Sequence, residues 1–339
     1  LREARRRRAE RSESVRAYQE FLIGLSSLTV AAKNHSIVNG LVSHIEQRND
    51  VDSEVPCVMI IALVEGRYKV SIPFDEFYQK NPIDMATVNM ETKAGREEYV
   101  NRCATMAAKL YSLNVPMVIT TIQVDESTDA EAGVPAYVIV ASRKAALDII
   151  EEANYGDRPD GDGPRIQEGD FVRAQITSVA RDSIAVVVGG VDTRVSLHAL
   201  TFEYLVDART KYKVGQEIMV QVEQIIKEKD GHHIVEVNCK QPELERAKQM
   251  RSALPIGSIV FGIVSSVAAS KKQPGNINVL AYIKMYDLPV LVNNMPAKFL
   301  GSEPPRGSTV RLKVLNYLDN GMILCRCIGT QGPMNFPNA

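Results

Sequence analysis

The sequence contains no uninterrupted run of about 18 apolar residues, the length a helix needs to cross a bilayer. Its first residues are rich in arginine where a secretory signal would be apolar, so a cytoplasmic location and no membrane partner are expected. The chain opens on Leu1 rather than methionine, and further residues upstream are expected. It has no glycine loop followed by lysine and serine or threonine to cradle a phosphate, no paired-histidine metal helix and no GxSxG nucleophile turn. On these grounds the chain is read as a non-enzyme that needs no cofactor. Its five cysteines (Cys57, Cys103, Cys239, Cys325 and Cys327) are scattered through apolar runs. Without a two-residue-spaced pair to start a tetrahedral zinc site, they read as small hydrophobes in a reducing compartment. A formal net charge of −1 excludes a surface that is basic all over.

What the chain does have is length, hydrophobic content and a local excess of charge. Its 339 residues exceed the usual size of one hydrophobic core, and its 45% hydrophobic content supports folded domains. Leu1 to Arg16 holds seven arginines against three glutamates, a net of +4, which leaves −5 for the remainder. Val15, Tyr18, Leu22 and Leu25 recur at helical spacing behind this arm, so residues 1–30 are expected to form a basic helix with Arg5 to Arg8 at its tip. That tip suits RNA phosphates or an acidic partner, and equally a solvated arm with no target.

Beyond the arm the sequence turns to apolar strands separated by turn residues, and a repeat emerges. SIVNGLVSHI (Ser36 to Ile45) nearly recurs as SIVFGIVSSV (Ser258 to Val267), and DFVRAQITSV (Asp170 to Val179) keeps the same alternation. Gly40 and Gly262 occupy one point of the repeat, where a small residue lets a coiled strand turn a barrel corner, and Ala174 is the nearest substitute. Each copy is followed at a distance by a turn and a second strand: NVPMVITTIQVD, KVGQEIMVQVEQI and RGSTVRLKVLNY. The spacing predicts a mainly β chain of three tandem five-stranded barrels at 31–150, 169–243 and 255–330, with connections at 151–168 and 244–254. The first barrel carries a helical insertion from about Gly95 to Tyr111, its apolar stripe of Tyr99, Cys103, Met106 and Leu110 facing the core.

The middle segment, Gly169 to Glu243, resembles the RNA-binding OB-fold domain of the ribosomal protein S-one family. The resemblance rests on EGDFVRAQITSV, on VSLHAL (Val195 to Leu200) and on YKVGQEIMVQVEQI, in that order. The first segment adds VSIPFDEF (Val70 to Phe77) and ASRKAA (Ala141 to Ala146), which is similar to the family's closing LSRKRA, and the third keeps only GSIVFGIVSSV and RGSTVRLKVL. The resemblance implies closed barrels that bind single-stranded RNA across their second and third strands, as an accessory of the ribosome or its proteins in translation. The family's exposed aromatics at the entry to the second strand are replaced here by Cys57 and Val58, by Ser183 to Ala185 and by Asn276 to Asn278.

Other cations and rings are the expected RNA contacts. They are Arg67, Tyr68 and Lys69 in the first barrel, with Phe74 and Phe77 serving either RNA or the barrel interior. The middle barrel offers Arg173, Arg181, Arg194, His198, Tyr204, Arg209 and Lys211. In the third, Lys271 and Lys272 precede Tyr282, Lys284 and Tyr286, which a strand would set on one face as a stacking platform. The competing expectation from the missing aromatics is that the barrels serve as protein-interaction modules in a larger assembly.

Overall fold

A computed structural model describes residues 2–48, 57–125, 136–158, 161, 163–271, 273–296 and 304–331, with the backbone alone described at 2–15, 17, 125, 136 and 331. The chain is mainly β and divides into two compact units, Leu1–Arg165 with Gly189–Asp192 and Ile166–Val188 with Thr193–Ala339. Among the described residues no helix is long and apolar enough to cross a membrane.

The first unit begins with helix α1 (Arg2–Lys33). Its buried stripe is Phe21, Leu25 and Leu28, while Tyr18 and Leu22 stand exposed, so among the described side chains of the expected stripe Leu25 alone faces the core. The Val15 side chain and the basic tip Arg5 to Arg8 fall outside the described side chains. Gly24 explains the shift of face: a Cβ there would come 2.7 Å from a ring carbon of Tyr68. Bare backbone thus lets that ring lie on the helix, against Phe21.

Five strands follow: β1 (Ile37–Arg48), β2 (Cys57–Val64), β3 (Tyr68–Pro73), β4 (Asn114–Asp125) and β5 (Ala136–Ser142), closed in the order β1-β2-β3-β5-β4. Helix α2 (Lys93–Ala107) and a 3-10 turn to Leu110 stand between β3 and β4. They bury Val100, Cys103, Ala107 and Leu110, with Tyr99 and Met106 at the edge of the stripe. Phe74 and Phe77 are core residues. The ASRKAA segment has a structural role. Ser142 caps helix α3 (Arg143–Tyr155) by accepting from Ala145 N, and Arg143, almost wholly buried, stacks on the Phe77 ring and donates to Phe77 O at 2.7 Å. Because α3 runs to Tyr155, part of the expected connection is helical.

The second unit holds the other two sheets apart from Val191 and Asp192. β6 (Phe171–Val179), β7 (Ser183–Val188), β8 (Val191–Ser196), β9 (Glu217–Lys227) and β10 (His233–Asn238) pair in the order β10-β9-β6-β7-β8, with the short helix α4 (Leu197–Leu200) after β8 and α5 (Gln241–Gln249) after β10. β11 (Ile259–Ala269), β12 (Asn276–Ile283), β13 (Leu288–Pro296), β14 (Thr309–Tyr317) and β15 (Ile323–Gln331) close as β11-β12-β13-β15-β14. Cys325 and Cys327 lie in the third barrel's core and Cys239 is buried after β10, and burial pushes the Cys239 and Cys325 thiols up to about 12. Cys103 is buried too, whereas Cys57, at the start of β2, is exposed.

Register makes the repeat explicit. Gly40, Ala174 and Gly262 lie opposite Val115, Ile218 and Val310, and in each first strand a bulge follows two residues later, at Val42/His44, Ile176/Ser178 and Val264/Ser266. The extra residue is a hydroxyl every time: Ser43, Thr177 and Ser265. Ser43 Oγ donates to Ile61 O at 3.2 Å and Thr177 Oγ1 to Ala185 O at 3.4 Å.

In the first and third barrels a parallel β3–β5 or β13–β15 pairing seals the sheet. Among the described residues the middle sheet shows no such ladder between β8 and β10, so this barrel is nearly closed, its backbone one pairing short of the closed barrel expected. A side chain spans the seam, Thr193 Oγ1 donating to Val235 O at 2.8 Å. Thr193→Val keeps the shape and removes the donor. It is expected to cost about 1 kcal/mol in urea unfolding and to speed amide exchange in β8 and β10; unchanged stability and exchange would show the seam to be held otherwise.

Candidate nucleic-acid interface

In the first barrel, Arg67 and Lys69 are exposed at the β2–β3 hairpin, raised on a turn whose Glu65 and Gly66 have positive φ. Tyr68 between them is not an RNA contact. Its ring is wholly buried against α1, and its hydroxyl donates to Phe21 O at 3.0 Å.

The third-barrel platform also fails. β12 ends at Ile283, and Lys284 to Asp287 form the turn, so Tyr282, Lys284 and Tyr286 do not share a strand face. Tyr282 is 0% exposed: its hydroxyl donates to Asp287 Oδ1 at 2.7 Å, and Lys211 Nζ from the middle barrel sits 5.4 Å from the ring centroid. Tyr286 packs against the core, Lys284 and Lys271 are exposed, and Lys272 lies outside the described residues.

The middle barrel keeps most of its expected cations wet. Arg181, Arg194, His198 and Arg209 are exposed, Tyr204 is 37% exposed, and Arg173 is exposed 3.6 Å from Glu217. Arg181 and Arg209 meet at one loop. Ala208 N donates to Arg181 O, and Arg209 grips Asp207 bidentately, at 2.9 and 2.6 Å, so Asp207 accepts the hydrogen bonds that hold its carboxyl down to about 2. Lys211 is turned inward, to Glu203 at 2.8 Å and Asp287 at 3.7 Å. Arg194 has no ion-pair partner among the described residues and projects from β8 four residues before His198.

His198 and Tyr204 share a groove of about 240 Å³ with Phe202, Lys240, Ser265 and Arg306. The Lys240 ammonium stands 5.1 Å over the Phe202 ring, and desolvation lowers its pKa from the ordinary 10.5. Tyr204 lies against Gly307, where a Cβ would come 3.1 Å from the ring and φ is +82°, so both space and backbone favour glycine. Ser265 Oγ is buried without a hydrogen-bond partner among the described residues. The groove therefore offers rings and two cations to one ligand. Phe202, Lys240, Ser265 and Arg306 were not among the expected contacts, because each comes from a different segment and no local pattern joins them.

Glu243 of α5 fixes the groove wall. Its buried carboxylate accepts from Thr201 Oγ1 at 2.5 Å and from Phe202 N at 2.9 Å, setting the backbone that carries Phe202 and Tyr204.

Residues 165–233, the segment that holds Arg181, Arg194, His198 and Tyr204, match the S1 RNA binding domain. That match supports RNA binding. No curated protein matches the chain. Among the solved structures similar to it are the following three. One is the a/eIF2alpha-aDim2p-rRNA complex from Pyrococcus horikoshii OT3, at 16% identity and a TM-score of 0.20, covering 25% of this chain and 56% of that one. Another is a multidomain protein with nucleic acid binding domains from Streptococcus pneumoniae TIGR4, at 12% identity and 0.21, covering 86% and 73%. The third is Drosophila Unr CSD456, at 10% and 0.17, covering 87% and 96%. Likeness at this level carries no argument about function.

Desolvation raises the Glu243 carboxyl above its ordinary 4.5. A carboxyl raised on folding holds its proton more tightly in the folded chain, so the stability it contributes is present below 4.5 and lost as pH rises through the folded-state value. Urea unfolding across this range should therefore show wild type losing stability relative to Glu243→Gln as pH rises; parallel curves would mean that Glu243 is ionised at no net cost.

Proposed function

We propose that the chain is a non-catalytic single-stranded RNA-binding protein that tethers mRNA or docks on the ribosome during translation, with its main contact on the middle barrel. The observation that carries this reading is the coincidence of the S1 match with exposed Arg181, Arg194 and His198 and with the groove of Tyr204, Lys240 and Arg306. The cations attract phosphates and the rings give flat faces to bases. Burial of Tyr68 and Tyr282 favours a second reading, in which the other barrels contribute protein contacts.

Fluorescence anisotropy of the full chain with a single-stranded RNA oligonucleotide tests the first reading. Affinity should fall steeply with salt, the logarithmic slope losing about 0.7 for each phosphate contact removed, as in Lys240→Ala or Arg306→Ala. Tyr204→Ala should weaken binding by about 1–3 kcal/mol, the usual worth of one stacked base, and leave the slope alone. Affinity no higher than a neutral control protein's at low salt would end the RNA reading. Failure to co-sediment with ribosomes while RNA binding persists would end only the translational part.

A further inference from the structure

We propose a second single-stranded RNA contact on the outer face of β11, β14 and β15 in the third barrel, away from the β12–β13 face that resemblance to the family would select. Phe261 and Ile259 project from β11, 52% and 50% exposed. Across the ladder Phe261 lies opposite Arg311 and Ile259 opposite Lys313, and on the far side Lys313 lies opposite Arg326. All three cations are exposed and have no ion-pair partner among the described residues. The face thus presents a bare aromatic ring beside three unneutralised positive charges on adjacent strands.

Two features of this face oppose folding. Like charges directly across a ladder repel, as Lys313 and Arg326 must, and a half-exposed phenylalanine leaves apolar surface in water. A polyanion with flat bases relieves both, its phosphates neutralising the cations while a base covers the ring. The register-equivalent face of the middle barrel has a different character. Phe171 there lies opposite Gln221 and Arg173 opposite Met219, Arg173 is paired with Glu217, and Glu223 and Glu236 add exposed acids. The basic character therefore belongs to the third barrel alone of this pair and does not follow from the repeat. Charge complementarity selects RNA as the occupant. An acidic polypeptide, which would use the cations and have little need of the ring, is the alternative that the experiment separates.

The test is anisotropy of the full chain with labelled oligouridylate, run beside the middle-barrel variants. Arg311→Ala/Lys313→Ala/Arg326→Ala is expected to weaken binding at least tenfold at low salt and to reduce the salt slope by about 2, for three phosphates. Phe261→Ala should weaken binding about fivefold or more with the slope unchanged. Arg326→Glu puts a carboxylate opposite Lys313 and is expected to raise the melting temperature while lowering RNA affinity, a pairing of effects that a purely structural role would not give. Wild-type affinity in all three variants, with loss in Lys240→Ala or Tyr204→Ala, overturns this site and leaves the proposed function intact. No binding by wild type overturns both. Loss of polyglutamate binding in the triple variant, with oligouridylate affinity untouched, assigns the face to an acidic protein and overturns its RNA role.

Discussion

A five-stranded barrel this small requires its first strand to serve two neighbours lying on different sides of the core, pairing with the fourth strand along its first half and with the second strand along its second. The strand can do so only by coiling sharply at the changeover. All three first strands solve the problem alike, with an inward residue that has little or no side chain (Gly40, Ala174, Gly262) and a one-residue bulge two positions on. At Gly40 and Gly262 the space a Cβ would need is taken by Met117 and Leu312, so the interior fills from the opposite strand. The hydroxyl in each bulge then has two fates. Ser43 and Thr177 return a hydrogen bond to the neighbouring strand, and the Ser265 hydroxyl is buried without a partner among the described residues.

A second constraint acts inside the second unit, where charged groups tie its two barrels together. Asp287 receives the Tyr282 hydroxyl, lies 3.0 Å from Arg246 and faces Lys211, which also meets Glu203 and the Tyr282 ring. Such a half-buried network adds little net stability, since desolvation offsets the attraction, but it specifies one docking geometry. Its consequence is that the outward side of β12, which carries Tyr282 and Leu280, is covered or lines a groove instead of meeting solvent. The same docking assembles that groove from the β6–β10 and β11–β15 barrels.

Strand alternation, the small first-strand residue and the turn glycines were readable because they act over two to ten residues, the distance at which sequence pattern reports on geometry. The ASRKAA segment was readable as a motif, yet its purpose was not. Arg143 reads as a surface cation and is buried, because Phe77, sixty-six residues earlier, supplies both a ring and a carbonyl. Helix α1 shows the same limit on a smaller scale: helical spacing permits either face to be apolar, and contact with Tyr68 at Gly24 selects Phe21, Leu25 and Leu28.

The order of elements, the triplication of the barrel and the exposure of Arg194 follow from the sequence alone, because a period of two assigns each residue to one side of its strand. Which outward-facing rings stay in water was decided by tertiary structure. Tyr282 is sealed by Lys211, some seventy residues before it, Tyr68 by a helix forty-seven residues before it, and Phe261 is left bare. Alternation tells inside from outside within one sheet, and carries no information about what another part of the chain will lay over that sheet.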